Sequence, residues 1–319
     1  MYHRVAELES DPWSMTIKPK HFAEQMQIIQ KYGNPMPLKQ LINKMNVNEP
    51  LQRAVVVTFD DGYKDNLYTA KPILEKYNIP ATVFVATGGL DQQREFWWDE
   101  LDRLLLQTGR LPGLLQLRIR GKSYEWKLDE TAYPSRYVFK LSGHWSMGRK
   151  LEKVFNRRKN LYSKIYKLLQ FLSENERERV LEELRIWANI EPLNQSVQLP
   201  LSKDDLFALE KGGLVEIGAH TESHPHLSKI PVTIQKDEIQ NSKAYLENIL
   251  GHNVNSFAYP HGSYNKDTIS IVKEAGFNCA CSSIFGRVKR NNNLYLLPRF
   301  VVKDWDGETF SRWLSRIAW

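Results

Sequence analysis

Short apolar segments alternate with longer helical patterns at both ends of the chain, and this alternation restricts its fold more than any other feature. Five segments read as buried strands, at residues 54–59, 81–86, 214–218, 256–259 and 277–282. Helices are predicted between them, including 66–77, 234–250 and 266–275. Strands that are apolar on both faces are typical of parallel sheets covered by helices, so the pattern predicts an α/β barrel or a doubly wound sheet.

This rhythm changes between about residues 90 and 201. The stretch FWWDELDRLLL predicts a helix, and LLQLRIRGKSYEWKL predicts a β-hairpin that turns at Gly121. Two long helical patterns follow, and the second begins at a capping box formed by Ser173 and Glu176. We therefore predict a single domain over residues 1–319 that carries an inserted subdomain, a hairpin plus helices, at about 90–201.

The composition favours an anionic partner without naming one. The chain has 44 Lys and Arg against 37 Asp and Glu, a net charge of +7. No nucleic-acid-binding module is recognisable, so no nucleic-acid partner is expected. The two cysteines, Cys279 and Cys281, alternate in one predicted strand and read as reduced packing residues. No apolar run could span a bilayer and no secretory signal is recognisable, so a cytoplasmic location is expected.

A basic helix is predicted from Arg149 to Leu169. It carries eight Lys and Arg residues against one acid, Glu152, and its apolar stripe would leave the cations on the other face. Charge runs usually mark a solvated face. The alternative is peripheral contact with an anionic membrane, or with a lipid-linked or pyrophosphate-linked substrate.

Charged and imidazole side chains follow two of the predicted strands. Asp60 and Asp61 end the first strand, and two such anions would repel each other unless a cation lay nearby. His220 and His224 follow another strand, and their spacing predicts one face of a helical turn. Two histidines and one carboxylate form an open coordination set for zinc or a similar ion. Each motif alone is more often structural, but together, at two strand ends, they indicate a metal site.

These motifs resemble those of a known family. Residues 58–62, TFDDG, and 220–225, HTESHP, resemble the TFDDG and H(S/T)xxHP motifs of the NodB-homology polysaccharide deacetylases, carbohydrate esterase family 4. FAYPHG at 257–262 resembles the RxPY loop of that family, and LPRF at 297–300 is a fourth match. The resemblance covers about 1–90 and 200–319. It implies a distorted (β/α)7-type barrel with a mostly helical insertion.

The resemblance also implies a role for each matched residue. Asp61, His220 and His224 would hold a divalent metal ion, zinc before cobalt or nickel. Asp60 would be the general base that activates water. The third motif would supply an oxyanion and substrate loop made of Tyr259, Pro260 and His261.

The chain departs from the family pattern in three places. His261 stands where the family has an aromatic residue after the proline, and it could alter the pocket wall or contact substrate. Ala258 stands where the family often has an arginine that steers the base, and we predict that Arg299 supplies this guanidinium instead. No LxH motif with its acid histidine follows Arg299. However, the start of the chain, MYHRV, resembles the N-terminal strand of circularly permuted relatives, which implies that His3 is the general acid.

The predicted function is a metal-dependent amidase that removes an N-acetyl or similar acyl group from an amino sugar of a glycan or glycoconjugate precursor. Two alternatives remain at this stage. One is a carbohydrate-binding protein that keeps the metal but has lost turnover. The other is an O-acyl esterase, or an amidase for cyclic imides or peptide-like substrates, on the same scaffold.

Overall fold

The computed structural model describes residues 1–8, 10–92, 94–107, 109–128, 145–190 and 199–318, with the backbone alone for 145–156 and 318. It divides into two compact units. The first unit comprises Met1–Leu8, Trp13–Arg94 and Val197–Trp319. The second comprises Glu9–Pro12 and Glu95–Ser196, and it overlaps the insertion predicted at about 90–201.

The elements are numbered along the chain. The strands are β1 (Arg4–Val5), β2 (Thr16–Ile17), β3 (Asn34–Pro35), β4 (Ala54–Val55), β5 (Val57–Phe59), β6 (Ala81–Val85), β7 (Leu114–Ile119), β8 (Lys122–Lys127), β9 (Val215–Ala219), β10 (Ser256–Ala258), β11 (Cys279–Phe285) and β12 (Leu297–Arg299). The α-helices are α1 (Pro19–Tyr32), α2 (Leu38–Asn46), α3 (Lys71–Tyr77), α4 (Trp97–Asp102), α5 (Trp145–Leu169), α6 (Glu174–Ala188), α7 (Lys203–Glu210), α8 (Val232–Leu250), α9 (Lys266–Glu274) and α10 (Gly307–Ala318).

The first unit is built on a six-stranded parallel sheet. Its strand order is β12-β11-β10-β9-β6-β5, and all five predicted strand segments contribute to it. One prediction was partly wrong, because segment 54–59 is two strands. β5 pairs with β6 in the main sheet, whereas β4 pairs with the short strand β3, so the chain changes partners at Val56.

The N-terminal segment lies between the two edges of this sheet. The Tyr2 N–H donates to the Thr58 carbonyl at 2.8 Å, and the Asp60 N–H donates to the Tyr2 carbonyl at 3.1 Å. Beyond the other edge, the Val302 N–H donates to the Met1 carbonyl at 3.1 Å. The sheet therefore curls until residues 1–2 bridge its first and last strands, as in a distorted barrel.

Two apolar layers support the curled sheet. Between sheet and helices, the rings of Tyr2, Phe22 and Phe59 pack at 5.2 to 5.8 Å. A second cluster joins the buried side chains of α2 to Phe84 and to both cysteines. Cys279 and Cys281 are buried and free, which confirms that they are packing residues.

The second unit combines a hairpin with helices around its own core. β7 pairs with β8 in antiparallel register, and the chain turns at Gly121 with φ 79°, as predicted. Its completely buried side chains include Leu104, Leu115, Ile165 and Leu184. The unit therefore has enough apolar surface to form a core of its own.

Polar contacts also fix the helices of this unit. The predicted capping box of Ser173 and Glu176 opens α6. Further along that helix, the Arg185 guanidinium donates to the Glu100 carboxylate at 2.6 and 3.1 Å. Both side chains are about one-tenth exposed, so the pair fixes how α6 lies on α4.

The basic helix corresponds to α5 and differs from its prediction. Arg158 does not face solvent: it is 3% exposed and donates to the Gly109 carbonyl at 2.6 Å. Burial lowers the pKa of Arg158 to about 10. The helix therefore uses one of its cations to hold the loop before β7, and the predicted membrane contact gains no support. Among the helices that the structure describes, none is long and apolar enough to cross a bilayer.

Gly218 of β9 supplies a sharp test of this packing. A Cβ atom there would lie 2.5 Å from the Phe84 ring, which is completely buried. We expect Gly218→Ala to lower the free energy of unfolding by ~1–3 kcal/mol through overpacking.

The control is the double variant Gly218→Ala with Phe84→Leu, because the smaller side chain relieves the clash with the ring, while the Ser256 hydroxyl, 2.7 Å from the Cβ position, remains. Its loss of stability, measured by urea unfolding, should be clearly smaller than the sum of the two single losses. Additive losses would contradict the packing described here.

Candidate functional site

The paired acids diverge at the carboxyl end of β5. Asp60 continues the strand, because its N–H is bonded to Tyr2. Asp61 and Gly62 then adopt left-handed backbones, with φ of 76° and 83°. A Cβ on Gly62 would come within 3.1 Å of Val85, so the turn packs closely on β6. As a result the two neighbouring carboxylates meet different partners.

His220 is fixed by its backbone and by its ring. It follows β9, and its N–H donates to the Val85 carbonyl at 3.0 Å. Its Nδ1 lies 2.8 Å from the Ala258 carbonyl oxygen, and a carbonyl can only accept, so Nδ1 carries the proton. In the neutral ring, Nε2 therefore presents a lone pair, and it faces Oδ1 of Asp61 at 3.5 Å.

The prediction of a helical turn was wrong. Residues 220–226 form a loop, in which Thr221 and His224 have left-handed φ values of 65° and 58°. The Thr221 hydroxyl accepts from the His224 N–H at 3.1 Å and supports this path. The rings of His220 and His224 lie 4.9 Å apart because the backbone reverses, and not because of helical spacing.

Asp61, His220 and His224 together could hold a metal ion. One ligand atom of each residue lies within 4.8 Å of the others, and no second group of this kind occurs among the described residues. Nε2 of His224 lies 3.2 Å from the same Asp61 oxygen. Imidazole lone pairs and a carboxylate oxygen repel one another unless a cation lies between them. The donor set therefore fits a divalent ion of the zinc kind.

The electrostatics of Asp61 agree with this fit. Burial alone would raise its pKa, but the pKa is held well below its usual range when the His220 and His224 rings are protonated and donate to it, and a bound cation would act in the same direction. Asp61 is thus an anion although it is only 6% exposed.

Asp60 is held by Arg299. Two guanidinium nitrogens of Arg299 donate to the two carboxylate oxygens at 2.7 and 2.8 Å. Two further N–H groups donate to the Ser282 carbonyl at 3.0 Å and the Thr58 hydroxyl at 3.2 Å. Burial alone would raise the pKa of Asp60, but the charge and hydrogen bonds of Arg299, together with the charges of His220 and His3, outweigh it and the pKa is lowered. Arg299 thus lies where the sequence predicted a guanidinium, and Ala258 contributes only its carbonyl.

His3 lies beside both acids. It follows the residue that pairs with Phe59, and its carbonyl accepts from the Asn66 side chain at 2.9 Å. Its ring is 9% exposed. Burial lowers the pKa of His3, and the negative charges of Asp61 and Asp60 partly oppose that shift. The structure thus brings His3 to the site, while its role as the acid, and the circular permutation, stay predictions.

The loop of the third motif meets the site through His261. The Tyr259 side chain is buried in the core, and its hydroxyl donates to the Tyr295 carbonyl at 3.0 Å. After Pro260, His261 adopts a left-handed backbone with φ 56°. Its ring is edge-on to His224 at 4.5 Å. His261 is exposed, but desolvation of its ring, followed by the charges of nearby histidines, lowers its pKa, so this wall is a neutral imidazole at neutral pH.

Sequence reasoning missed two residues of this site. No role was predicted for His226, whose ring stacks on His261 at 3.9 Å with an angle of 10°. Glu238 of α8 accepts from the Glu222 N–H at 2.9 Å, the Ser223 N–H at 2.8 Å and the Ser223 hydroxyl at 2.5 Å. Glu238 therefore holds the loop that carries His224. An acid on an amphipathic helix gives no sign of such a role, whereas the HPH sequence at 224–226 was a weak signal for His226.

The comparisons with known proteins identify the family. The sequence profile of the family described as polysaccharide deacetylase matches residues 48–108 and 175–280, just over half of the chain. The chain belongs to the polysaccharide deacetylase family. One relative is the poly-beta-1,6-N-acetyl-D-glucosamine N-deacetylase of Staphylococcus aureus (strain MRSA252). It is 31% identical over 125 residues, which cover 34% of this chain and 43% of the relative. The match thus spans less than half of the relative's length.

Solved structures share the fold over nearly the whole chain. The Streptococcus pyogenes deacetylase PplD, in complex with acetate, has a TM-score of 0.60 at 17% identity and covers 98% of this chain and 95% of its own. IcaB from Ammonifex degensii has a TM-score of 0.56 at 16% identity, with coverages of 98% and 94%. At these identities the likeness concerns the fold, and it confirms the predicted distorted barrel.

Replacing Glu238 tests whether it positions the metal-binding loop. Glu238→Leu removes both carboxylate oxygens and with them all three hydrogen bonds, so we expect Zn²⁺ affinity to fall by ~10–100-fold. Glu238→Gln should keep most of the affinity, because its amide oxygen can accept both N–H groups and its amide nitrogen can donate to Ser223. Affinity is measured by competition with a chromophoric chelator.

The matched control is Asp237→Leu, at the exposed neighbouring position on α8. It should bind Zn²⁺ like the wild type. Equal losses in the Glu238→Leu and Asp237→Leu proteins would show that Glu238 has no specific effect on the loop.

Proposed function

We propose that this protein is a metal-dependent hydrolase that removes an N-acetyl or similar small acyl group from an amino sugar of a glycan or glycoconjugate precursor. The observation that carries the proposal is the juxtaposition of two arrangements. One is the donor set of Asp61, His220 and His224, and the other is the ion pair of Asp60 with Arg299. Family membership supports the reaction class, and the name of the S. aureus relative supports N-acetylhexosamine as the substrate class.

The proposed cofactor is a divalent ion, zinc before cobalt or nickel, held by Asp61, His220 and His224. When bound, such an ion supplies Lewis-acid chemistry, which polarises an amide carbonyl and makes water a better nucleophile at neutral pH. The hydrogen bond from Nδ1 of His220 to Ala258 keeps the donor atom of this ring aimed at the ion. Glu238 does the equivalent work for His224 through the backbone.

Asp60 is proposed as the general base. Arg299 keeps its carboxylate ionised and fixes its orientation through two hydrogen bonds, so Asp60 can accept a proton at neutral pH. Because Asp61 turns away from Asp60, the base is not consumed as a metal ligand. Ala258 has no guanidinium to steer the base, so Arg299 of β12 is proposed to supply it.

His3 is proposed as the general acid, and His261 as a wall of the substrate pocket. His3 lies beside Asp60 and Asp61, whose negative charges partly oppose the lowering of its pKa by burial, and in its protonated form it can deliver a proton to the departing amine. The neutral ring of His261 adds an apolar face next to His224.

Acetate release from N-acetylglucosamine oligomers tests the proposal. Chelation should abolish activity, and added Zn²⁺ should restore it. Asp60→Asn should lower kcat by ~10²–10⁴-fold with unchanged metal content, because Asp60 is the base and not a ligand. The exposed Asp204→Asn serves as control. Full activity after chelation, or in Asp60→Asn, would contradict the proposal, and metal binding without activity on any N-acyl or O-acyl sugar would favour a carbohydrate-binding protein.

The role of His3 is tested by comparing leaving groups. An amine must be protonated as it departs, whereas a nitrophenolate need not be. We therefore expect His3→Gln to lower amide hydrolysis by ~10²–10⁴-fold and to leave nitrophenyl acetate hydrolysis nearly unchanged.

Asp60→Asn is the companion variant, because a general base serves both substrates. It should lose both activities. A His3→Gln protein with equal losses on the two substrates would rule out a specific role in protonating the amine.

A further inference from the structure

The first unit contains an apolar cavity away from the donor set. Its volume is about 190 Å³. It lies among residues 1–2, α2, the segment that contains β4 and β5, β12 and α10. Its walls are mainly aliphatic and aromatic, with Leu41, Val57, Leu297, Phe310 and Leu314 among them. Such a cavity binds hydrocarbon in preference to polar ligands.

The mouth of this cavity is positive. Of its lining residues, Arg53 and Arg287 are exposed, and all the others are buried or half-buried. No lining residue is acidic. Two more exposed cations of the loop after β11, Lys289 and Arg290, do not line the cavity. An anionic group at the mouth would thus meet arginines, whose forked donors suit carboxylate and phosphate.

The inner end of the cavity has polar groups that already have partners within the protein. It reaches Thr58, Cys281 and Arg299. Four N–H groups of Arg299 donate to Asp60, Thr58 and Ser282, and the Cys281 thiol is buried. The N-terminal amine of Met1, which also lines the cavity, donates to the Phe300 carbonyl at 2.8 Å. A ligand would therefore place its apolar part inward and its charge outward.

We propose that this cavity binds the acyl chain of a single-chain anionic amphiphile, with its carboxylate or phosphate on Arg53 and Arg287. The apolar walls take the chain and the two arginines take the head. A free fatty acid and a lysophospholipid share this chemistry. The site does not depend on the metal donor set. This proposal can therefore be right or wrong independently of the proposed function.

Chain length and head charge give the first test, by calorimetry below the critical micelle concentration. Octanoate and decanoate should each bind at one site per chain, and each added methylene should raise affinity about fourfold until the cavity is full. Decanol, which lacks the charge, should bind at least about tenfold more weakly than decanoate. No saturable binding, or equal affinity for decanol, would overturn the proposal.

Charge reversal at the mouth gives the second test. Arg53→Glu and Arg287→Glu should each weaken decanoate binding about tenfold or more. Arg290→Glu is the matched control, because it makes the same charge change in the same loop without lining the cavity. It should change affinity less than about threefold. Equal losses in Arg287→Glu and Arg290→Glu would mean general attraction of anions, and would overturn the site.

Filling the cavity gives a third test. Val288→Trp places an indole at a half-buried lining position and should abolish decanoate binding. A folded Val288→Trp protein that binds like the wild type would overturn the proposal. If this variant fails to fold, the Arg53→Glu and Arg287→Glu variants, which change exposed positions, decide whether the cavity binds the amphiphile.

Competition separates the two sources of the ligand. Decanoate and decanoyl lysophosphatidic acid should displace one another, and the tighter of the two identifies carboxylate or phosphate as the preferred head. Binding to phosphatidylglycerol vesicles without any binding of either free amphiphile would place the interaction on the surface and contradict the cavity site.

Discussion

Two buried carboxylates on consecutive residues are the constraint on which the rest of this structure depends. At about 4 Å and an effective dielectric of about 20, two like charges repel by roughly 4 kcal/mol, before any cost of burial. The protein resolves this by turning the backbone at Asp61, so that each carboxylate meets its own partner. Asp60 receives a bidentate guanidinium from Arg299, and Asp61 faces two imidazoles that complete a cation site.

This separation requires left-handed backbone conformations, which residues other than glycine rarely adopt. Asp61, Thr221, His224 and His261 all have positive φ values, and all four lie at the site. Thr221 is β-branched, so its value is the most unusual of the four. Such strain persists only when surrounding contacts enforce it. One such contact is the hydrogen bond from the His220 N–H to the Val85 carbonyl of β6, and another is that from the His224 N–H to the Thr221 hydroxyl. The three hydrogen bonds that Glu238 accepts hold the same loop.

The periodic features of the fold were predictable from the sequence. Five apolar segments gave the parallel strands, and the hairpin at Gly121 and the capping box at Ser173 were read from turn and cap chemistry. These signals are local, so one sequence suffices to detect them. The motifs also placed Asp60, Asp61 and the two histidines at the carboxyl ends of strands, which lie along the same edge of a parallel sheet.

Features that depend on tertiary contacts were not predictable in the same way. The H-x3-H spacing suggested a helix, but left-handed residues bring the rings together instead. The sequence suggested that Arg158 is a surface cation, but its side chain donates to the Gly109 carbonyl in the loop before β7. Glu238 looked like any helical acid. The partners of Arg158 and Glu238 are distant in the sequence. The approach of the two histidine rings depends on backbone angles that the composition does not reveal.

X-ray absorption of the zinc-loaded protein tests the central claim most directly. The account predicts oxygen and nitrogen scatterers at ~2.0–2.1 Å, with the multiple-scattering signature of two imidazoles. His224→Ala should lose one of those imidazoles. Zinc–sulfur scattering at ~2.3 Å, or the absence of imidazole scattering, would contradict the account.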